Sequence, residues 1–229
     1  MQYQPRTIAF VTELFHEPMQ PDPRPIQKLH NEMFESGVPA YSSFSATPAG
    51  PVLSNPTGRP GAVSQVAFLP DRIQFREELG GVTNEEFAIR VRQVAEVAAP
   101  MRGIQQFAAQ QAVVRSLVNP KAFKDARDYL RDGMFDFENT LQTFDRPPQL
   151  FGLRLAFPPG DDHQNAFGLR VESYAQDPRS LFLEVQGSFG PLATLGGMNE
   201  LEERVGETYQ FLHERVLPFL AQFDLAGEQ

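Results

Sequence analysis

The side chains of this 229-residue chain that could do chemistry are few, and they lie far apart in sequence. His30 falls on or beside the apolar stripe of an expected helix near the start, and His213 beside that of an expected helix near the end. Facing one space, the two imidazoles would share a ligand. Neither has a second histidine at i+4, a spacing helical zinc sites use, so partly buried, satisfied histidines are the simpler account. Asp161-Asp162-His163 reads either as a hard-metal or acid/base cluster or as a polar turn of turn-favouring residues. The following Gln164-Asn165 does not supply the alternating oxygen ligands of a calcium loop, which favours the turn. Arginines and glutamates make the third set. Arg154, Arg170, Glu172, Glu184 and Gln186 alternate with apolar residues in three expected strands and so share one face, and Arg115 of an earlier strand joins them. Such a face could hold an anionic peptide or small acid through guanidinium contacts, or could be cross-strand ion pairing on a solvated surface. The candidate ligand-binding set is therefore Arg115, Arg154, Arg170, Glu172, Glu184, His30 and His213, with no catalytic and no metal-ligating residue.

What the chain lacks narrows the chemistry. It has no Cys, which removes disulfides, thiolate catalysis and Cys-ligated zinc. No serine sits in a G-x-S-x-G context. Gly80-Gly81 and Gly196-Gly197 precede expected helices, whose N-termini attract anions. Neither pair has the Lys-Ser/Thr sequel of a phosphate loop, so both read as connectors. No cofactor is expected. The formal charge of −9, from 20 basic and 29 acidic residues, repels polyanions and anionic lipid. Neither nucleic acid nor membrane is an expected partner. No stretch approaches the roughly 20 apolar residues of a membrane span. The start, MQYQPRTIAFVTELFHEP, lacks the basic region and unbroken apolar run of a signal peptide, and a soluble cytoplasmic protein is the expectation. The 20 Phe against 5 Tyr mark the aromatics as core filling.

These residues need a scaffold, and the apolar periodicity supplies one. Thr7 to Phe15 is a β-rich apolar run ended by Glu17-Pro18. A helix is expected from about Pro25 to Ser36, with Ile26, Leu29, Met33 and Phe34 at helical spacing and Gly37 past its end. Short strands follow at 41–46, 51–54, 63–69 and 72–78, the last alternating Ile73 and Phe75 with Arg72, Gln74 and Arg76. Thr83 and Glu86 form a capping box that opens a helix striped by Phe87, Val91, Val94 and Ala98 and ended at Pro100. The order then restarts. Gln111 to Val118 is a strand, Asn119 an expected N-cap and Pro120 the first residue of a helix that buries Phe123, Ala126, Tyr129 and Leu130. Residues 136–144 are a further helical turn or a loop. Strands at 150–157, 166–174 and 181–189 make an antiparallel meander with one apolar face. A last helix begins at Asn199 with the stripe Leu201, Val205, Tyr209, Leu212, Val216, Phe219 and Phe223. Pro218 lies inside it and is expected to kink it.

Four stretches carry a likeness: IAFVTELFHEP followed by IQKLHNEMF, FLPDRIQFREEL, VVRSLVNPKAFKDARDYL, and LEVQGSFG followed by YQFLHERVLPFLAQF. In these the chain resembles a sporadically distributed bacterial protein family of unknown function. The resemblance spans nearly the whole chain, carries no catalytic motif, and implies no site residue. The expected fold class is α+β: two pseudo-repeated β-α-β-β-β-α units, about 1–104 and 105–229, within a single globular domain. They would share one curved antiparallel sheet with helices packed on one face. The expected function is a non-enzymatic protein-binding or assembly module, pairing with itself as a homo-oligomer or with another protein. The alternative is a small-molecule (anionic ligand) binding protein or enzyme with a pocket between sheet and helices. Whether it is an enzyme stays open, with the sparse chemistry leaning against.

Overall fold

The structure, a computed structural model, describes residues 3–37, 40–137, 141–146 and 148–224. Nine strands form one antiparallel sheet: β1 (Arg6–Phe15), β2 (Ser43–Thr47), β3 (Gly50–Ser54), β4 (Val63–Phe68), β5 (Arg72–Glu78), β7 (Ala109–Val118), β8 (Gly152–Phe157), β9 (Ala166–Ser173) and β10 (Leu181–Phe189), in the order β2-β3-β4-β5-β1-β7-β10-β9-β8. The two ten-residue strands β1 and β7 lie side by side at the centre, and each half of the chain continues outward from them. Two short strands, β6 (Gln106–Phe107) and β11 (Leu192–Ala193), pair separately and are not evident in the sequence.

The first half has the four outer strands expected at 41–46, 51–54, 63–69 and 72–78, one more than a β-α-β-β-β-α unit holds. The Thr47–Gly50 turn closes a β2–β3 hairpin, and β4 and β5 follow, so its outer meander has four strands. The second half has three, as its alternation indicated.

One face of the sheet is apolar because side chains alternate along every strand. Leu14, Leu53, Val66, Ile73, Phe75, Val114, Val171 and Val185 are all buried on it. Three helices lie against this face. Helix α1 (Pro23–Glu35) rests on β2 and β3 and against α2; α2 (Asn84–Met101) packs along α4; and α4 (Met198–Phe211) crosses β7 and β10. Asp22 caps α1 with Pro23 and Pro25 in its first turn, and Ile26 and Leu29 are its buried contacts. The Thr83–Glu86 capping box of α2 is fully formed. Helix α4 comes in close over Gly187, where a Cβ would stand 2.4 Å from the Thr208 hydroxyl. A buried ion pair clamps α2 to the first meander. Arg90 meets Glu77, which also accepts the Ser64 hydroxyl at 2.8 Å, and the guanidinium lies over the Tyr41 ring. Burial raises the Glu77 pKa, opposed by Arg90 and Ser64.

Two helical expectations need correction. The helix expected from Pro120 starts only at Asp125, which caps α3 (Ala126–Asp128) through the Arg127 amide and leads into a π turn, Tyr129–Met134. Asn119 is not free to cap a helix at Pro120. The buried carboxylate of Asp224 accepts from Lys121 N at 2.8 Å and Ala122 N at 2.9 Å, while Asn119 Oδ1 accepts from Ser180. The four residues expected to be buried there do turn inward: Ala126, Tyr129 and Leu130 are buried and Phe123 packs against them.

The last helix begins at Met198, one residue early, with Gly197 in the N-cap position. Leu212–Val216 then form a π turn before α5 (Leu217–Ala221). The wider turn makes room for Pro218, whose ring would otherwise press on the carbonyl four residues back. It also slips the apolar stripe by one residue. Leu217 and Leu220 are buried where periodicity pointed to Phe219 and Phe223, which are half-buried. Residues 141–143 form a 3-10 turn, whereas 138–140 of the expected helical turn or loop lie outside the described residues. No helix among the described residues is long and apolar enough to cross a membrane.

Candidate functional site

The open sheet face collects the charged residues that alternation assigned to it. Antiparallel register sets Arg154 of β8 opposite Arg170 of β9, Arg170 opposite Glu184 of β10, and Glu184 opposite Arg115 of β7. Most of these charges satisfy one another. Arg115 Nε donates to Glu184 at 2.7 Å, and Arg170 binds Glu172 through two 2.6 Å bonds while its guanidinium covers the Phe182 ring. Further along, Arg76 pairs with Glu78 and Arg72 with Glu13 and Asp71. Arg154 alone of these arginines has no ionic partner among the described residues, and its direct cross-strand neighbour is another arginine. A shallow groove of about 390 Å³ runs between Arg154, Arg170, Glu184 and Gln186 over Ala156 and Gly168.

The two histidines are not brought together. His30 sits between the rings of Phe34 and Phe44 at the β2 edge of the sheet. His213 lies in the π turn with its ring 4.5 Å from that of Tyr209, which packs on Phe10 of the central strand. Each has a buried Nε2 without a hydrogen-bond partner, and burial lowers the His213 pKa. Asp161-Asp162-His163 forms an exposed turn closed by the Gly160–His163 bridge. Among the described residues no group of three or more His, Asp or Glu side chains could hold a metal ion.

A larger feature lies on the helix side, where the alternative expectation put a pocket between sheet and helices, but none of the candidate ligand-binding residues lines it. The first meander is roofed by α1, but among the described residues no helix makes a comparable contact with β8 or β9. The apolar face of these strands, Leu155, Phe157, Phe167 and Leu169, therefore floors a cleft of about 770 Å³. Phe211 of α4 and Phe219 of α5 wall one side. Phe167 and Phe211 stack at 4.4 Å, and Phe157 meets Phe211 edge-on at 5.4 Å. The β8–β9 loop closes one end and is tied to α4 by Asn165, whose amide donates to both Glu207 oxygens at 3.1 Å. The other side is the free edge of β8. Phe157 is 40% exposed there, whereas Leu53 in the roofed meander is 1% exposed.

The rim of this cleft is acidic. Asp162, Glu207 and Glu214 line it, with Arg215 and His163 among them. Over the crest of α4, at Glu207 and Gln210, it adjoins a second cleft of about 800 Å³ between α2 and α4, lined by Glu85, Glu202 and Glu203. There Arg92 pairs with Glu202, while Glu85 and Glu203 have no ion pair among the described residues. The alternation of Leu153, Leu155 and Phe157 was legible, as was Phe211 lying off the main α4 stripe. The missing roof was not, since it depends on where the other helices go. One more pair escaped sequence reading. His16 is buried, its Nδ1 bonded to the Glu17 carbonyl at 2.8 Å and its Nε2 facing Arg102 at 3.4 Å. Burial lowers the His16 pKa and brings Arg102 down to about 10.

No protein-family model matches the chain, and no curated protein matches it.

Proposed function

We propose that the protein is a non-enzymatic protein-binding or assembly module that uses the β8 edge and the uncovered strip beside it. One observation carries the reading: the aromatic and aliphatic floor of β8 and β9 is open where α1 roofs the equivalent outer strands of the other half. Apolar surface of this kind on a folded domain is where partners bind. The free edge adds unpaired main-chain donors and acceptors, the means by which a sheet recruits a further strand. A strand added there would set a side chain opposite Arg154, and an acidic one would supply the partner Arg154 lacks.

The absence of Cys makes a direct test simple. A Phe157→Cys variant carrying a thiol-linked photocrosslinker should form protein adducts, with itself or another chain, while the same label on Gln27 of the outer α1 surface should not. Equal labelling at both positions, or none at 157, sinks the reading.

A second reading, a small ligand in the same cleft, is favoured by its aromatic floor and by a volume in the usual range for ligand sites. The acidic rim turns that ligand from the expected anion to a cationic amphiphile. We also read the two halves, about 1–104 and 105–229, as copies of one unit within a single domain. Support comes from the matching way β1 pairs with β5 and β7 with β10, each first strand lying beside the last strand of its own meander. Membership of the sporadically distributed family rests on the four stretches quoted above.

A further inference from the structure

We infer that the cleft over β8 and β9 receives an amphipathic helix with a basic flank, supplied by a partner protein; this rests on the protein-binding reading and names the shape and charge of what binds. The fold itself provides the template. Helix α1 covers β2 and β3 with Ile26 and Leu29 buried beneath it, and the strip over β8 and β9 is the corresponding outer strip of the other half. The dimensions agree. Two strands at a spacing of about 4.8 Å make a strip about 10 Å wide, the width of one helix. The six residues of β8 extend about 20 Å, the length of about 13 helical residues. A helix lying there would set its apolar stripe on Phe157, Phe167 and Leu169 and its side against Phe211 and Phe219.

Charge selects the partner. Asp162 and Glu214 on the rim have no ion pair among the described residues, and the acids continue over the α4 crest through Glu207 to Glu203. A second copy of this chain, with a formal charge of −9, would bring its own acidic rim against this one. A helix carrying Lys or Arg along one flank meets complementary charge instead.

The chain has no Trp, so one Trp in a synthetic peptide reports binding without background. Three helix-forming peptides of about 14 residues serve as probes: one with Leu at i, i+3, i+4 and i+7 and a Lys flank, the same with a Glu flank, and a Lys peptide with the apolar order scrambled. The Lys-flanked helix should bind with a blue shift, gain helical circular dichroism, and weaken with salt. The Glu-flanked and scrambled peptides should bind at least about tenfold more weakly. Asp162→Lys/Glu214→Lys should reverse the preference between the two flanks, and Phe157→Ser, at a partly exposed position, should abolish binding with the fold intact by circular dichroism. Equal binding of the Glu-flanked or scrambled peptide overturns the proposal. Dimerisation that Phe157→Ser abolishes makes the occupant a second copy and also overturns it. If no peptide binds while Phe157→Cys still yields protein adducts, the helix is wrong and the protein-binding reading stands. If neither occurs, both fall.

Discussion

The two outer parts of the sheet are built alike and finished differently. Around β2 and β3 the apolar face is closed: α1 lies over it, and the Glu77–Arg90 pair and Tyr41 lock α2 alongside. Around β8 and β9 the same kind of face is left open, because among the described residues the segment between β7 and β8 has only three α-helical residues followed by a π turn, and it packs instead toward the C-terminal end, where the Tyr129 hydroxyl donates to Leu220 O at 2.7 Å. The difference teaches that an apolar strand is not by itself a core strand. Whether it becomes core or surface depends on a roof contributed from elsewhere in the chain.

Substitutions that treat the two ends equally test this contrast. The largest effect belongs to the locked end. Arg90→Ala leaves Glu77 buried without its counter-charge and should cost about 3–5 kcal/mol in urea denaturation. Next is a matched pair on the apolar face. Leu53→Ala, beneath the roof, should cost about 2–5 kcal/mol, and Leu155→Ala, in the open strip, less than about 1 kcal/mol. Equal costs would mean that the strip is closed in solution. On the solvated face, Arg115→Ala removes an ion pair that salt already screens and should cost about 0.2–1 kcal/mol, a loss that shrinks further at high ionic strength.

The smallest effect is a pH dependence. Burial lowers the His16 pKa from its ordinary 6.5, with the Arg102 charge adding to it. Below 6.5 the unfolded chain therefore takes up a proton that the native state refuses. Stability is full above that pH and falls as pH drops through the lowered native value. His213, lowered by burial, acts with the same sign. His16→Gln should flatten the stability profile between pH 5 and 7 relative to its value at pH 8, and an unchanged slope would place the titration elsewhere.

Much of this fold could be read locally. The capping box at Thr83, the alternation in β5 and β10 and the turn glycine after α1 act within a few residues, and each appears where expected. The charged row was legible for the same reason, since period two assigns Arg154, Arg170 and Glu184 to one face. Misreadings arose where a distant group decides the outcome. Ser180 takes the Asn119 side chain that was expected to cap a helix at Pro120. Arg170 takes Glu172 of its own strand as its partner, so the row is less available to a ligand than its composition suggests. His30 and His213 share only a helical setting in sequence, and the sheet order sets their helices apart. The cleft was unreadable in principle from β8 alone.

The π turn at Leu212–Val216 has a consequence for how the cleft can change over time. Each residue of an α-helix advances the chain by about 100° around its axis. Rewinding this turn as ordinary α-helix at unchanged length would rotate everything beyond it by about 100°. Phe219 would swing into the interior and Leu220 outward, with no side chain in the cleft itself replaced. The aromatic wall is thus set by how one turn is wound rather than by the kind of residue in it, and the same sequence wound as α-helix throughout would lack it.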